Sequence, residues 1–222
     1  MTTTDPQLLE ILKLAAWQQA VIGTQAAWSI REALRLDDTP PPPVPRDDVF
    51  LRVGHKASTN IEKSEAQAAR DLVRKPSMDR RLHGVWAGTQ LLLSAAANVS
   101  KLLWPPPGDS ELHCEDLRRL LGVGESWSLR DRWLRNSFEH FGQRIVDWAS
   151  EHAGEPFSDS TIMRLAETAR TKPDYALPIR AFVEDAFSVI FMGRHIELKP
   201  LETELEAIRG RASPSAGLYL ED

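Results

Sequence analysis

Between Met78 and Leu103 the positions Met78, Leu82, Val85, Thr89, Leu92, Ala96, Val99 and Leu103 follow one another in steps of four and three. Only an α-helix, at roughly 3.6 residues per turn, gathers positions so spaced into one stripe. A stripe of this length must be covered by other elements, which confines the chain to a helical architecture with this segment in the core. Other segments repeat the pattern. After Asp5-Pro6, which suits a helix start, Leu9, Leu12, Ala16, Ala20, Ala27 and Ile30 predict one long helix ending near Leu36. From Asp47, the positions Phe50, Val53, Ala57, Ile61, Ala68 and Leu72 predict another, interrupted at Lys75-Pro76. A proline-rich stop begins at Pro105, and a short helix is expected around Glu115 to Leu121 before the glycines at 122 and 124.

A helix from about Ser128 to Ser150 is expected next, since Leu134, Phe138, Phe141, Ile145 and Trp148 again alternate in steps of four and three. A further helix is expected over Ser160 to Thr171. The pattern then changes: Ser188-Val-Ile-Phe-Met is β-branched and aromatic, Gly193-Arg194 suits a tight turn, and His195-Ile-Glu-Leu alternates. A small β-hairpin is predicted over 188–198, followed by a closing helix from Pro200 to Arg209. The expected fold is therefore mainly all-α, a multi-helix up-and-down bundle with a C-terminal β-hairpin. One domain spans 1–211, with a flexible tail over 212–222. The proline run at 40–45 reads as a semi-rigid linker inside it, although its PxxP content also fits a ligand for a polyproline-binding module.

Composition narrows the function classes. The 222 residues hold 32 acids against 27 bases, a net charge of −5, so no global positive field draws in nucleic acid and any such contact must be local. The single cysteine, Cys114, has no disulfide partner, which fits a reducing compartment. The opening M-T-T-T-D-P-Q lacks the basic and apolar regions of a signal peptide, and the longest apolar runs are too short to span a bilayer. The expected location is the cytoplasm, with no membrane partner.

One polar string carries chemistry. On an uninterrupted helix, Arg135, Asn136, Glu139 and His140 would occupy one side, opposite the apolar stripe, with Arg132 and Gln143 in the same sector. Asn136 could then reach His140, and Arg135 could reach Glu139, so neighbours would hold both the imidazole and the guanidinium. A histidine of near-neutral pKa moves a proton, and an arginine fork stabilises charge building on a phosphate. Together they suit phosphodiester cleavage. The plainer reading is a solvated helix face laced with weak ion pairs.

The string L-R-N-S-F-E-H-F resembles the R-x4-6-H motif of HEPN domains, in which a polar residue, often Asn, follows the arginine. HEPN domains are helical bundles, and many are metal-independent endoribonucleases of toxin–antitoxin, phage-defence and RNA-processing systems. The resemblance implies a homodimer in which two motifs meet at a cleft, with Arg135 and His140 catalytic and Asn136 positioning. No metal or other cofactor is implied. RNA is the implied substrate, its 2′-hydroxyl attacking the adjacent phosphate, and an antitoxin or regulatory protein is a conceivable partner. The alternative within the same family is a catalytically inactive interaction or dimerisation module.

Other signals are weaker. The basic stretch containing Arg74, Lys75, Arg80 and Arg81 can touch an RNA backbone or simply form a solvated turn between helices. Glu111-Leu-His-Cys-Glu-Asp116 groups potential metal ligands, but no second cluster completes a tetrahedral set. His83 and His195 read as surface or satisfied core histidines, and the seven tryptophans as core packing rather than base-stacking platforms.

Overall fold

The computed structural model describes residues 5–35, 60–105, 111–131, 133, 140–155, 157–165 and 177–214, with backbone alone for 60–79, 111–112, 141 and 177. Among them are five α-helices: α1 (Pro6–Arg35), α2 (Asn60–Leu103), α3 (Glu111–Leu120), α4 (Phe141–Glu151) and α5 (Leu198–Ala212). A 3-10 turn covers Ser128–Arg130. Six short strands are β1 (Phe157–Ser158), β2 (Thr161–Met163), β3 (Leu177–Pro178), β4 (Arg180–Val183), β5 (Ser188–Phe191) and β6 (Arg194–Glu197). β1 and β3 form a parallel pair, and the other four make a mixed sheet in the order β2-β4-β5-β6. The described residues are mainly helical, with a small four-stranded sheet beside the β1–β3 pair.

Helix α1 is the centre of the packing because its inward face is small. It buries Ala16, Ala20, Ala26, Ala27, Ile30 and Ala33, and its neighbours answer with glycine. A Cβ on Gly88 of α2 would stand 2.7 Å from the Ile30 side chain, and one on Gly84 would stand 2.8 Å from that of Ala33. Gly23 lies equally close to Leu205 of α5 and near Ala95 of α2. These pairings run in opposite senses along the chain, so α1 is antiparallel both to the C-terminal half of α2 and to α5. Without Cβ atoms the backbones approach closely, and the larger side chains Leu92, Leu93, Leu201 and Leu205 fill the remaining space.

Two carboxylates of α5 tie it to its neighbours. Arg31 of α1 makes a bidentate pair with Glu202, both contacts at 2.5 Å, and Lys199 adds a third at 3.0 Å. The carboxylate of Glu204 accepts the backbone N–H groups of Ser128 and Leu129 at 2.6 and 2.8 Å, so α5 caps the 3-10 turn from outside. Helix α3 is closed off after Leu120 by Gly122 (φ 57°), where Val123 N–H reaches back to the Arg118 carbonyl and Arg211 donates to the carbonyls of Leu121 and Gly122. The sheet closes the core through Phe182, Val189 and Phe191.

Several sequence expectations change. The stretch from Ser128 to Ser150 is not one helix: Asp131 is extended (φ −63°, ψ 104°) and His140 is also non-helical (φ −110°, ψ 30°). Asp131 accepts the Trp133 N–H at 2.8 Å, a local bond that competes with helix continuation. Pro76 does not divide two helices, because α2 runs through it from Asn60 to Leu103. A proline deletes one hydrogen bond at a cost of about 3 kcal/mol, which a long helix with a buried stripe absorbs. The first residues of the helix expected over Ser160 to Thr171 are instead a strand, Thr161–Met163 pairing parallel with Ala181–Val183, and 166–171 lie outside the described residues. The strands β5 and β6 pair antiparallel, with Phe191 opposite Arg194, but as one edge of the four-stranded sheet. Leu198 already belongs to α5, and Ala212, assigned from sequence to the tail, is its last buried residue. The proline run at 40–45 and the tail beyond 214 lie outside the described residues.

Candidate functional site

His140 sits immediately before α4, exposed, and its side chain makes no capping hydrogen bond to the helix. Its carbonyl accepts the first helical N–H, from Arg144 at 3.0 Å, so the backbone of His140 is fixed while the ring faces solvent. Gln143, one turn on, is exposed and hydrogen-bonded to Asp147 at 2.8 Å. Arg132, Arg135, Asn136 and Glu139 lie outside the described residues. The apolar face expected of this helix is visible in Trp148, which is buried and stacked on His152 with ring centroids 4.5 Å apart.

The chain enters the motif from a well-anchored point. Trp133 meets Phe191 of β5 edge to face at 6.0 Å, and Arg194 of β6 lies over the Trp133 ring at 4.3 Å while binding Asp131 at 2.7 Å. An arginine that both stacks and pairs in this way holds Asp131 and Trp133 against the sheet. Trp133 is two residues before Arg135.

Phe191 also faces a cleft of about 120 Å³ between α2 and the sheet, lined by Trp86, Thr89, Gln90, Leu93, Arg180, Val189 and Phe191. Thr89 is only 1% exposed, and neither its hydroxyl nor the indole N–H of Trp86 has a hydrogen-bond partner among the described residues. At the rim, the Arg180 guanidinium lies 5.5 Å from the Trp86 ring centroid and binds Asp159 through two bonds of 2.8 and 2.6 Å. The hydrogen bonds from Arg180 hold the Asp159 carboxyl below its ordinary range against the opposing effect of burial. The same pairing raises the Arg180 pKa.

Other sequence candidates separate. Arg80 and His83 are exposed, whereas Arg81 is largely buried and pairs with Glu184 at 2.9 Å, so that charge joins α2 to the end of β4. Only backbone is described for Arg74 and Lys75. Cys114 is buried in the core, away from any ligand role at the surface. His195 is exposed, and its Nε2 lies 2.6 Å from the Ser188 hydroxyl. That pair resembles a nucleophile and its base, but Ser188 is 0% exposed and no substrate can reach it. The bond satisfies a buried hydroxyl instead. Comparisons with family models, with curated proteins and with solved structures returned no match to this chain.

Sequence reasoning placed Thr89 in a core stripe and read the tryptophans as core packing, and it missed the cleft. A hydroxyl among leucines and valines was the available signal. The partners that make it a cleft, Arg180, Val189 and Phe191, come from strands about ninety residues later.

Proposed function

We propose that the chain is a HEPN-like, metal-independent endoribonuclease, with His140 and Arg135 catalytic and Asn136 positioning the substrate. The observation that supports this reading is the exposed His140 ring, uncommitted to the helix that its backbone begins. In the proposed reaction the RNA 2′-oxygen attacks the adjacent phosphorus while a histidine takes its proton. The bond from phosphorus to the 5′-oxygen breaks, and the departing oxygen is protonated by the histidine of the second motif in a homodimer. Arg135 stabilises the phosphorane charge. DNA, lacking the 2′-hydroxyl, is inert. The cytoplasm and an antitoxin-like partner belong to the same proposal. Among the described residues, no helix is long and apolar enough to cross a membrane.

The break at His140 alters the geometry this reading needs. Because His140 precedes α4, the reading does not rest on one helical face that continues through His140 into α4; pairing of two chains brings the two motifs to one phosphate. The test is incubation of the purified protein with total RNA in EDTA, alongside Arg135→Ala and His140→Ala. Cleavage by the wild type and its loss in both variants is the expected result. Equal cleavage by all three would sink the assignment.

A second reading, a catalytically silent dimerisation module, is favoured by a different observation. The outward face of α1 exposes Ile11, Leu14, Ile22 and Trp28, with Gln18 and Gln25 between them and no charge along its centre. Interface cores are depleted of charge and enriched in tryptophan in this way. A dimer that leaves RNA intact would favour this reading over the nuclease.

A further inference from the structure

We propose that a second copy of this chain packs on the outer faces of α1 and α2 together, across a two-fold axis, so that both helices of one protomer lie against the same two of its partner. The proposal rests on the α1 surface that favours the dimerisation reading, widens it to α2, and holds whether or not the chain cleaves RNA.

The two outer faces form one surface. Gln19 of α1 and Asn98 of α2 are hydrogen-bonded at 3.1 Å on the exposed side of the helix pair. Positions seven apart return to the same side of a helix, so Leu91, 54% exposed, lies two turns from Asn98 along the same edge of α2. On α1, Ile22 follows Gln19 by three residues and is also exposed. The helices are antiparallel, so the turn after Gln19 meets the turn before Asn98, and Ile22 and Leu91 flank one seam. The approaches of Gly23 to Ala95 and of Gly88 to the Ala26 carbonyl bracket that stretch.

This surface carries no charge. Charged residues make up 27% of the chain, yet none occurs over 14–30 or over 84–100. Exposed helix positions elsewhere do carry them, as with Lys199, Glu206, Arg209 and Arg211 on α5 and Glu115 and Arg119 on α3. What α1 and α2 expose there is apolar, as at Ile22, Trp28 and Leu91, or a side-chain amide, as at Gln18, Gln25 and Asn98. Helix surface that omits charge and keeps tryptophan has the composition of an interface core.

Self-complementarity selects the occupant. A two-fold contact sets one surface against itself, so any charge near the axis meets its own copy, and a neutral face escapes that repulsion. A side-chain amide both donates and accepts, and is therefore its own complement, as apolar groups are. A charged partner would find no ion pair here. At 1.5 Å per residue the face runs about 25 Å from Ile11 to Trp28 and about 17 Å from Ala87 to Asn98, and axes about 10 Å apart make this one patch of roughly 400–500 Å². A pair of patches buries on the order of 1,000 Å², the lower limit for a specific contact, so a micromolar dissociation constant is expected.

The test uses the full chain and reads mass by light scattering coupled to gel filtration. The wild type is expected to be a dimer that dissociates on dilution, with a Tm that rises with protein concentration. One variant carries Ile22→Glu with Leu91→Glu, another Ile22→Lys with Leu91→Lys. Each sets like charges against themselves and is expected to be monomeric, with unchanged helical circular dichroism and a Tm independent of concentration. Mixed in equal amounts, the two set opposite charges face to face and are expected to recover the dimer mass. Val146→Glu, which charges an exposed apolar position of α4 instead, is expected to leave the dimer intact. A dimer that survives the charges on α1 and α2 but is lost in Val146→Glu would overturn the proposal by moving the contact to α4. Folded variants whose mixture stays monomeric would overturn it too. So would a wild type monomeric at about 100 μM, far above a micromolar dissociation constant. In that case flotation with phosphatidylcholine vesicles would assign the face to a membrane. RNA cleavage by the dimer, by contrast, would end the catalytically silent reading and leave this contact standing.

Discussion

Glu202 illustrates how one side chain decides a stability profile. Burial pushes its pKa up, but the hydrogen bonds from Arg31 and Lys199, with the attraction of both charges, outweigh this and leave the carboxyl below its ordinary value. A carboxyl with a lower pKa folded than unfolded binds protons more readily in the unfolded chain. Its contribution is therefore complete above the unfolded value of about 4.3 and is lost as pH falls through the lower folded pKa. Glu202→Gln is expected to cost about 2 kcal/mol near neutral pH, because the Arg31 charge loses its partner while part of the hydrogen bonding survives. Denaturant titrations from pH 7 to pH 3 check this: the variant should show a shallower acid limb than the wild type. Identical acid limbs would assign the acid sensitivity to other carboxylates. None of this was readable beforehand, since Arg31 and Glu202 stand 171 positions apart. By contrast, Thr89 was legible as a hydroxyl in an apolar stripe, and only its meaning required the strands opposite.

At the level of elements, what the sequence revealed depended on how local each element's stabilisation is. Helix α1 is described from Pro6 to Arg35, within the helix expected from sequence, because its burial pattern repeats over eight turns and overwhelms local ambiguity. Strand β2 escaped notice since three residues, Thr161 to Met163, carry no measurable period and owe their form to Ala181–Val183. The expected helix over 128–150 is broken at Asp131, where a local bond to the Trp133 N–H rather than apolar spacing sets the backbone, and again at His140. Helix spacing is set by Gly88, which the stripe pattern did not single out. A methyl there would also come within 3.1 Å of the Ala26 carbonyl, a backbone atom that cannot move aside. Gly88→Ala is accordingly expected to destabilise by about 1–2 kcal/mol, the overpacking cost exceeding the helix-propensity gain of about 1 kcal/mol. Thermal unfolding measures it. A more stable variant would show that α1 and α2 can separate without penalty.

For the whole molecule, the outer face of α1 is the largest question that solution measurements can answer. Trp28 is 62% exposed in the single chain, an uncommon position for the most costly apolar side chain to leave in water. If two chains meet there, Trp28→Glu and Ile22→Glu should convert a dimer to a monomer, read by light scattering coupled to gel filtration, with the core face of α1 untouched. A wild type already monomeric at high concentration would remove this face from consideration as a dimer contact. The central position of α1 also has a consequence during synthesis. Its α2 partner is complete once residue 103 has emerged, but Glu202, which holds Arg31, follows that arginine by 171 residues. At a translation rate of about 5–20 residues per second, this is a wait of roughly 10–30 s. For the later part of that interval, after residue 103, the growing chain can hold α1 and α2 together with one flank open, until α5 arrives to cover it.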